Sequence, residues 1–192
     1  MKYTPIAIAV VVLIAIIGLF TSMYIVTEKD QAFITRFGEI RGGAMTNAGL
    51  YFKVPFIDKV RRFEKRILEW DGRGELTTKD KRFIVIDSYA RWRISDPIYF
   101  FRRVKDEVVA QSRLDVIIGG ATRTAIAGVD LVEVVRSDKS RKAISNDILE
   151  DSREKVEGYG IELLDFQFKR ITPVNPSQSF PPKPVESKKV GQ

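Results

Sequence analysis

Residues Ile6 to Val26 carry no charged side chain and are mostly Ile, Val, Ala and Leu. As a helix these 21 residues would be roughly 31 Å long, against a bilayer hydrocarbon core of about 30 Å. The run is apolar on every face, which does not suit an amphipathic surface helix, and its place at the start of the chain does not suit a buried core helix. A cleaved signal peptide would have an apolar region of about 7–15 residues and then a small-x-small site. This run is longer, and Thr21-Ser22-Met23-Tyr24-Ile25-Val26 offers no such site. We expect an uncleaved membrane anchor over residues 1–26. Lys2 precedes it and Lys29, Arg36 and Arg41 follow, so the basic residues alone leave its orientation open.

Beyond Val26 the pattern changes. Gln31 to Ile40 reads as a strand with Phe33, Thr35 and Phe37 on one face and Gly38 as a break. Arg41 to Gly49 reads as a loop. Leu50 to Val60 is strand-like, with Pro55 marking an edge or a joint because it cannot donate to a ladder. Arg62 to Trp70 is a further strand, ending at Asp71-Gly72. Arg82 to Ile94 alternates most cleanly, with Ile84, Ile86, Ser88, Ala90, Trp92 and Ile94 on one face. Asp96 before Pro97 is a helix start. Further helices are expected from Asp106 toward Ala127, weakened at Gly119-Gly120, from an Asp130 cap through Val135, and from Ser140 to Glu157. Gly158 or Gly160 should end the last of these in a left-handed conformation, and Glu162 to Ile171 returns as a strand. Strands, then helices, then a strand define an α+β domain over residues 27–171. Five of the eight prolines lie between Pro173 and Pro184, so residues 172–192 read as a disordered tail.

The chain contains no Cys and no His. That excludes thiol nucleophiles, thiolate metal sites and histidine general bases, so no metal and no cofactor are expected. There is no GxGxxG, no GxxxxGK[ST], no GxSxG and no SxxK. Ser95, Ser137 and Ser140 occupy apparent caps and turns, and Asp147, Glu150, Asp151 and Glu154 mix with basic residues on one helix as solvated i,i+4 pairs. No catalytic residue is expected; a Ser–Lys membrane peptidase is the competing class. The net charge is +7, but between Thr27 and Thr172 it is only 28 basic against 24 acidic residues. That is too diffuse for a nucleic-acid module and suits a surface beside an anionic membrane. Leu50, Tyr51, Phe52, Val54, Phe56 and Ile57, around the single Lys53, are either a core strand or a contact with the membrane interface.

Several stretches together resemble the band 7 group, the stomatin–prohibitin–flotillin–HflK/C superfamily. They are Val26 to Glu39, the segment Ala48-Gly49-Leu50-Tyr51-Phe52-Lys53-Val54-Pro55-Phe56-Ile57-Asp58, Thr77 to Lys81, Val85 to Pro97, Tyr159 to Glu162 and Phe168 to Ile171. Ala48 stands where the group's PGLHFKIPF-like motif has proline. Tyr89-x-x-Trp92-Arg93-Ile94-x-Asp96-Pro97 tilts the likeness to the bacterial HflC type. The resemblance implies a non-enzymatic scaffold that pairs with an HflK-like band 7 partner and regulates an FtsH-like membrane AAA protease. It also implies a single-pass inner-membrane protein with its N-terminus in the cytoplasm and the band 7 domain in the periplasm. In the group the last strand leads into a long coiled coil, whereas here Ile171 leads to Thr172-Pro173-Val174-Asn175-Pro176 and no heptads follow. The expectation is weak self-association, as monomers or small oligomers; a non-functional band 7 fragment is the third reading.

Overall fold

The structure is a computed structural model and describes Leu13, Ile16, Ile17 and the continuous stretch 20–174. Its first lobe contains β1 (Met23–Val26), β2 (Asp30–Arg36), β3 (Glu39–Met45), β4 (Gly49–Phe52) and β5 (Asp58–Glu64). The second contains β6 (Leu68–Thr77), β7 (Phe83–Ile94), α1 (Pro97–Arg103), α2 (Glu107–Ala127), α3 (Leu131–Arg136), α4 (Asp138–Glu157) and β8 (Ile161–Pro173). The strands form antiparallel sheets ordered β3-β2-β5 and β6-β7-β8, and β1 pairs with β4 in a ribbon. The α+β expectation holds.

In the second lobe the alternation of β7 decides the layering. Ile84, Ile86, Ala90, Trp92 and Ile94 are buried, and α2 and α4 cover that face with Leu114, Ile118, Ile126, Ile148 and Val156. The opposite face is charged. Arg91 pairs with Asp165, Arg93 with Glu162, Arg73 with Asp87 and Lys169 with Asp71. These partly exposed pairs neutralise a solvated surface and add little stability.

The lobes share one core. Phe33 of β2 and Phe63 of β5 stack on each other and meet Phe101 and Phe100 of α1, while buried Gln31 donates to the Ile94 carbonyl at 3.0 Å. The other face of β2, Ala32 and Ile34, lies under the ribbon with Tyr24, Val26, Met45, Tyr51 and Val60. β2 is therefore covered on both faces, which accounts for its nearly continuous burial.

Several boundaries differ from the sequence reading. The expected anchor lies mostly outside the described residues. Its last four residues form β1 rather than helix, because alternate side chains Tyr24 and Val26 bury against the lobe while Met23 and Ile25 stay exposed. Among the described residues no helix is long and apolar enough to cross a membrane. The loop expected at Arg41–Gly49 is largely β3, which follows β2 through a tight turn at Phe37-Gly38 and carries a bulge opposite Ala32 and Ile34. Asp130 makes no capping bond; Asp80, from the β6–β7 turn, accepts from the Leu131 N–H at 3.3 Å instead. α4 starts earlier than expected, at Asp138, because Ser137 accepts from the Ser140 N–H at 3.1 Å. The expected tail lies outside the described residues from position 175, but Thr172 and Pro173 belong to β8.

The strand expected to end at Asp71-Gly72 instead breaks near Arg66, and β6 runs straight through both residues. The indole of Trp70 folds across Gly72, so a Cβ built there would lie 2.2 Å from Trp70 Cη2. Trp70 Nε1 donates to Asp115 of α2 at 2.6 Å, which locks the ring in place. Gly72→Ala should therefore push the indole off Asp115 and cost about 1–3 kcal/mol in urea unfolding. An unchanged urea midpoint with unchanged tryptophan emission would show that the ring does not need that space.

Candidate functional site

In β4 and β1 the outward and inward positions are set by strand alternation. Met23 pairs with Phe52 and Ile25 with Leu50, and all four side chains are exposed on one face of the ribbon. Tyr24 and Tyr51 form the opposite face and stack at 5.8 Å. Val26 is buried there too. Of the six candidate interface residues, Leu50, Phe52, Val54, Phe56 and Ile57 lie together at the surface, whereas Tyr51 turns inward against Tyr24.

Exposed apolar side chains of the first lobe gather at one pole. Ser22, where the apolar run joins the lobe, accepts from the Lys53 N–H at 2.7 Å. Lys53 opens the β4–β5 loop, which presents Phe56 at 92% exposure. Beside it the β2–β3 turn presents Phe37 at 89% exposure. Asp58 joins the two loops. Its side chain pairs with Arg36 at 2.8 Å and accepts from the Val54 N–H at 2.9 Å. Phe37 and Phe56 also hold positive φ, 52° and 66°, a left-handed conformation that costs a bulky residue about 1–2 kcal/mol. Strained aromatic residues turned into solvent gain nothing for the core; such strain concentrates at functional surfaces.

Charge follows the same division. Residues 27–66 hold nine basic and five acidic side chains, while residues 67–174 hold nineteen of each. The whole basic excess of the two lobes thus sits in the first lobe, which carries the apolar pole.

Sequence reasoning missed Met23, Ile25 and Phe37. The first two are indistinguishable in composition from the run that precedes them. Phe37 carried a usable signal, since an aromatic immediately before the strand-breaking Gly38 is a turn residue rather than a face residue.

The Arg36 guanidinium, and then the Val54 N–H, hold the Asp58 carboxyl below the usual carboxylate range. Its ionised form therefore stabilises the fold above a pH of about 3.9, the unfolded value, and that contribution is lost as pH falls through the lower folded value. Asp58→Asn should be less stable than the parent at pH 7. The gap should close below pH 4 in denaturant titrations; a gap of constant size would remove Asp58 from the acid response.

Ser137 and Ser140 make local capping bonds, Ser140 Oγ donating to Ser137 Oγ at 3.0 Å, while the Ser95 backbone N–H donates to the distant Gly160 carbonyl. Among the described residues no group of three or more Asp or Glu side chains is placed to hold a metal ion.

The chain belongs to the SPFH domain / Band 7 family, whose pattern matches residues 24–177 and so takes in β1 from Tyr24 onward. It is 30% identical over 192 residues to Protein HflC of Borreliella burgdorferi, covering 85% of this chain and 59% of the relative. With Protein HflC of Treponema pallidum it shares 29% identity over 201 residues, covering 86% and 60% respectively. With the Modulator of FtsH protease HflC of Escherichia coli strain K12 it shares 28% over 149 residues, 73% of this chain and 44% of that protein. The chain therefore spans about six tenths of the first two relatives and less of the third.

Proposed function

We propose that this chain is a membrane-anchored, HflC-like scaffold that modulates an FtsH-like membrane protease in complex with an HflK-like band 7 partner, and is not itself a protease. The observation that carries the reading is the match along both lobes to proteins named HflC, one of them named as a modulator of FtsH protease. The use of its serines in caps and turns supports a scaffold over a Ser–Lys peptidase. In this reading residues from Ile6 onward cross a bacterial inner membrane once, from a cytoplasmic N-terminus, and the two lobes stand in the periplasm. The pole formed by Phe37, Phe52 and Phe56 faces the bilayer, as its exposure and its direct connection to the apolar run support.

The test is affinity purification of the tagged full chain from its own membranes in mild detergent. Recovery of a second band 7 protein together with the AAA protease is the expected result. Recovery of neither, with normal turnover of the protease's substrates after deletion of the gene, would overturn the scaffold reading. Topology is read separately with Val116→Cys, an exposed site on α2 in a chain that has no other cysteine. An impermeant maleimide should label it from the periplasmic side of intact spheroplasts; labelling only after lysis would place the lobes in the cytoplasm.

A further inference from the structure

Most cations of the first lobe are committed within the fold. Arg36 is committed to Asp58, and Arg61 lies over the Phe101 ring. Arg62 donates to the Ile25 carbonyl, Lys65 donates to the Thr46 carbonyl, and Arg66 pairs with Glu64. Arg41, Lys53 and Lys59, by contrast, form no ion pair among the described residues.

Their positions follow from the register. Thr35 pairs with Lys59 and Ile34 with Arg41, one and two residues before the Arg36–Asp58 rung that closes the sheet below Phe37. Lys53 begins the loop that ends at Asp58. The three cations thus lie on three separate chain segments near the Phe37 and Phe56 tips, Lys59 on the Thr35 face of the sheet and Arg41 on the opposite, Ile34 face. Glu39 is the one acidic side chain besides Asp58 in the turns and strand ends of this pole, and it pairs with Arg36 only across the backbone register.

An exposed protein-binding patch and a bilayer contact both display apolar side chains. Protein-binding patches deplete lysine, whereas an anionic bilayer attracts lysine and arginine set just behind apolar side chains that enter it. We propose that Arg41, Lys53 and Lys59 form a headgroup site for anionic phospholipid, which seats the apolar pole on the bilayer surface. This rests on the membrane-facing reading of the pole given above. Lipid charge then governs the tilt of the lobes against the membrane, even while the apolar run keeps the chain in it. Each basic side chain near an anionic surface shifts the docked-to-undocked ratio on the order of fivefold at physiological salt.

The experiment uses the full chain carrying Ile57→Cys, labelled with a polarity-sensitive fluorophore and reconstituted into vesicles. One set is pure phosphatidylcholine; the other also contains phosphatidylglycerol, which gives the surface a negative potential. Acrylamide, a neutral quencher, reports water access at position 57. Val116→Cys serves as a distant exposed control.

The expected result is a several-fold loss of access in the anionic vesicles only. High salt or the combined Arg41→Gln, Lys53→Gln and Lys59→Gln changes should reverse it, with no change at position 116. Equal protection in both vesicles would overturn the headgroup site while leaving the apolar contact standing. Full access in both would overturn the headgroup site and the membrane-facing reading together, and would assign the pole to a protein partner.

Discussion

Gly160→Ala is expected to lower the unfolding free energy by about 2–5 kcal/mol, the sum of a left-handed backbone penalty and an overpacked contact. Gly160 follows α4 at a φ of +71°. A Cβ there would lie 2.5 Å from the Asp96 carbonyl oxygen and 2.8 Å from the Phe100 nitrogen. Both are backbone atoms, so neither can swing aside as a flexible side chain would. The same glycine also supplies the carbonyl that accepts from Ser95 N at 3.0 Å and from Asp96 N at 3.3 Å. Alanine would thus disturb the start of α1, the helix that carries Phe100 and Phe101 into the shared core. For a domain of this size the melting temperature should fall by roughly 5–15 °C. Gly158 supplies the control. It caps α4 at a φ of −62° with no atom near its missing Cβ, so Gly158→Ala should be neutral or slightly stabilising. Equal losses at both positions would show that helix termination, rather than the Gly160 contact, sets the cost.

The second large effect is expected at Trp92. It is fully buried on β7, opposite Leu163 of β8, and it is among the largest side chains of the core. Trp92→Ala should cost about 3–5 kcal/mol through lost burial and the cavity left behind. Trp92→Phe should cost much less, under about 2 kcal/mol. Among the described residues the indole N–H has no hydrogen-bond partner, and an unmet buried donor itself costs about 1–3 kcal/mol, so removing it offsets part of the lost volume. Urea unfolding of the two variants gives the comparison. A phenylalanine variant as unstable as the alanine one would mean that the N–H is satisfied after all.

Legibility in the sequence followed the physics of each element. β7 was readable because one face meets helices and the other meets water, which writes a period of two into the chain. The Asp96-Pro97 start was readable because it is local: the Asp96 side chain accepts from the Ile98 and Tyr99 N–H groups. β6 was misread because Gly72 looks like a terminator, while its real role, room for an indole two residues away, depends on the rotamer of Trp70. Asp130 was misread as a cap because Asp80 is fifty positions distant in sequence, and only the pinning of the β6–β7 turn to Val129 and Leu131 brings it there. The candidate surface was half legible. Leu50 to Ile57 was flagged as one cluster, but alternation along β4 sends Tyr51 to the opposite side from Leu50 and Phe52. Met23 and Ile25 complete that surface by pairing with Phe52 and Leu50, a long-range register that apolar composition does not encode.

The length of β8 sets a distance. Its first residue, Ile161, pairs with Ile94, beside the junction with the first lobe; its last, Pro173, pairs with Ile84, and Val174 N still donates to the Phe83 carbonyl. Thirteen residues of twisted strand measure roughly 40 Å. The first lobe meets the second at the Ile161 end of this strand, through Gln31 on the Ile94 carbonyl of β7 and through Phe33 and Phe63 against α1, and its apolar tips lie at the far end of β2. β8 therefore works as a ruler. Whatever peptide continues from Val174 departs at a fixed standoff from the pole that carries Phe37 and Phe56. Shortening β8 and β7 together by two residues each would lower that departure point by about 7 Å without touching the tips.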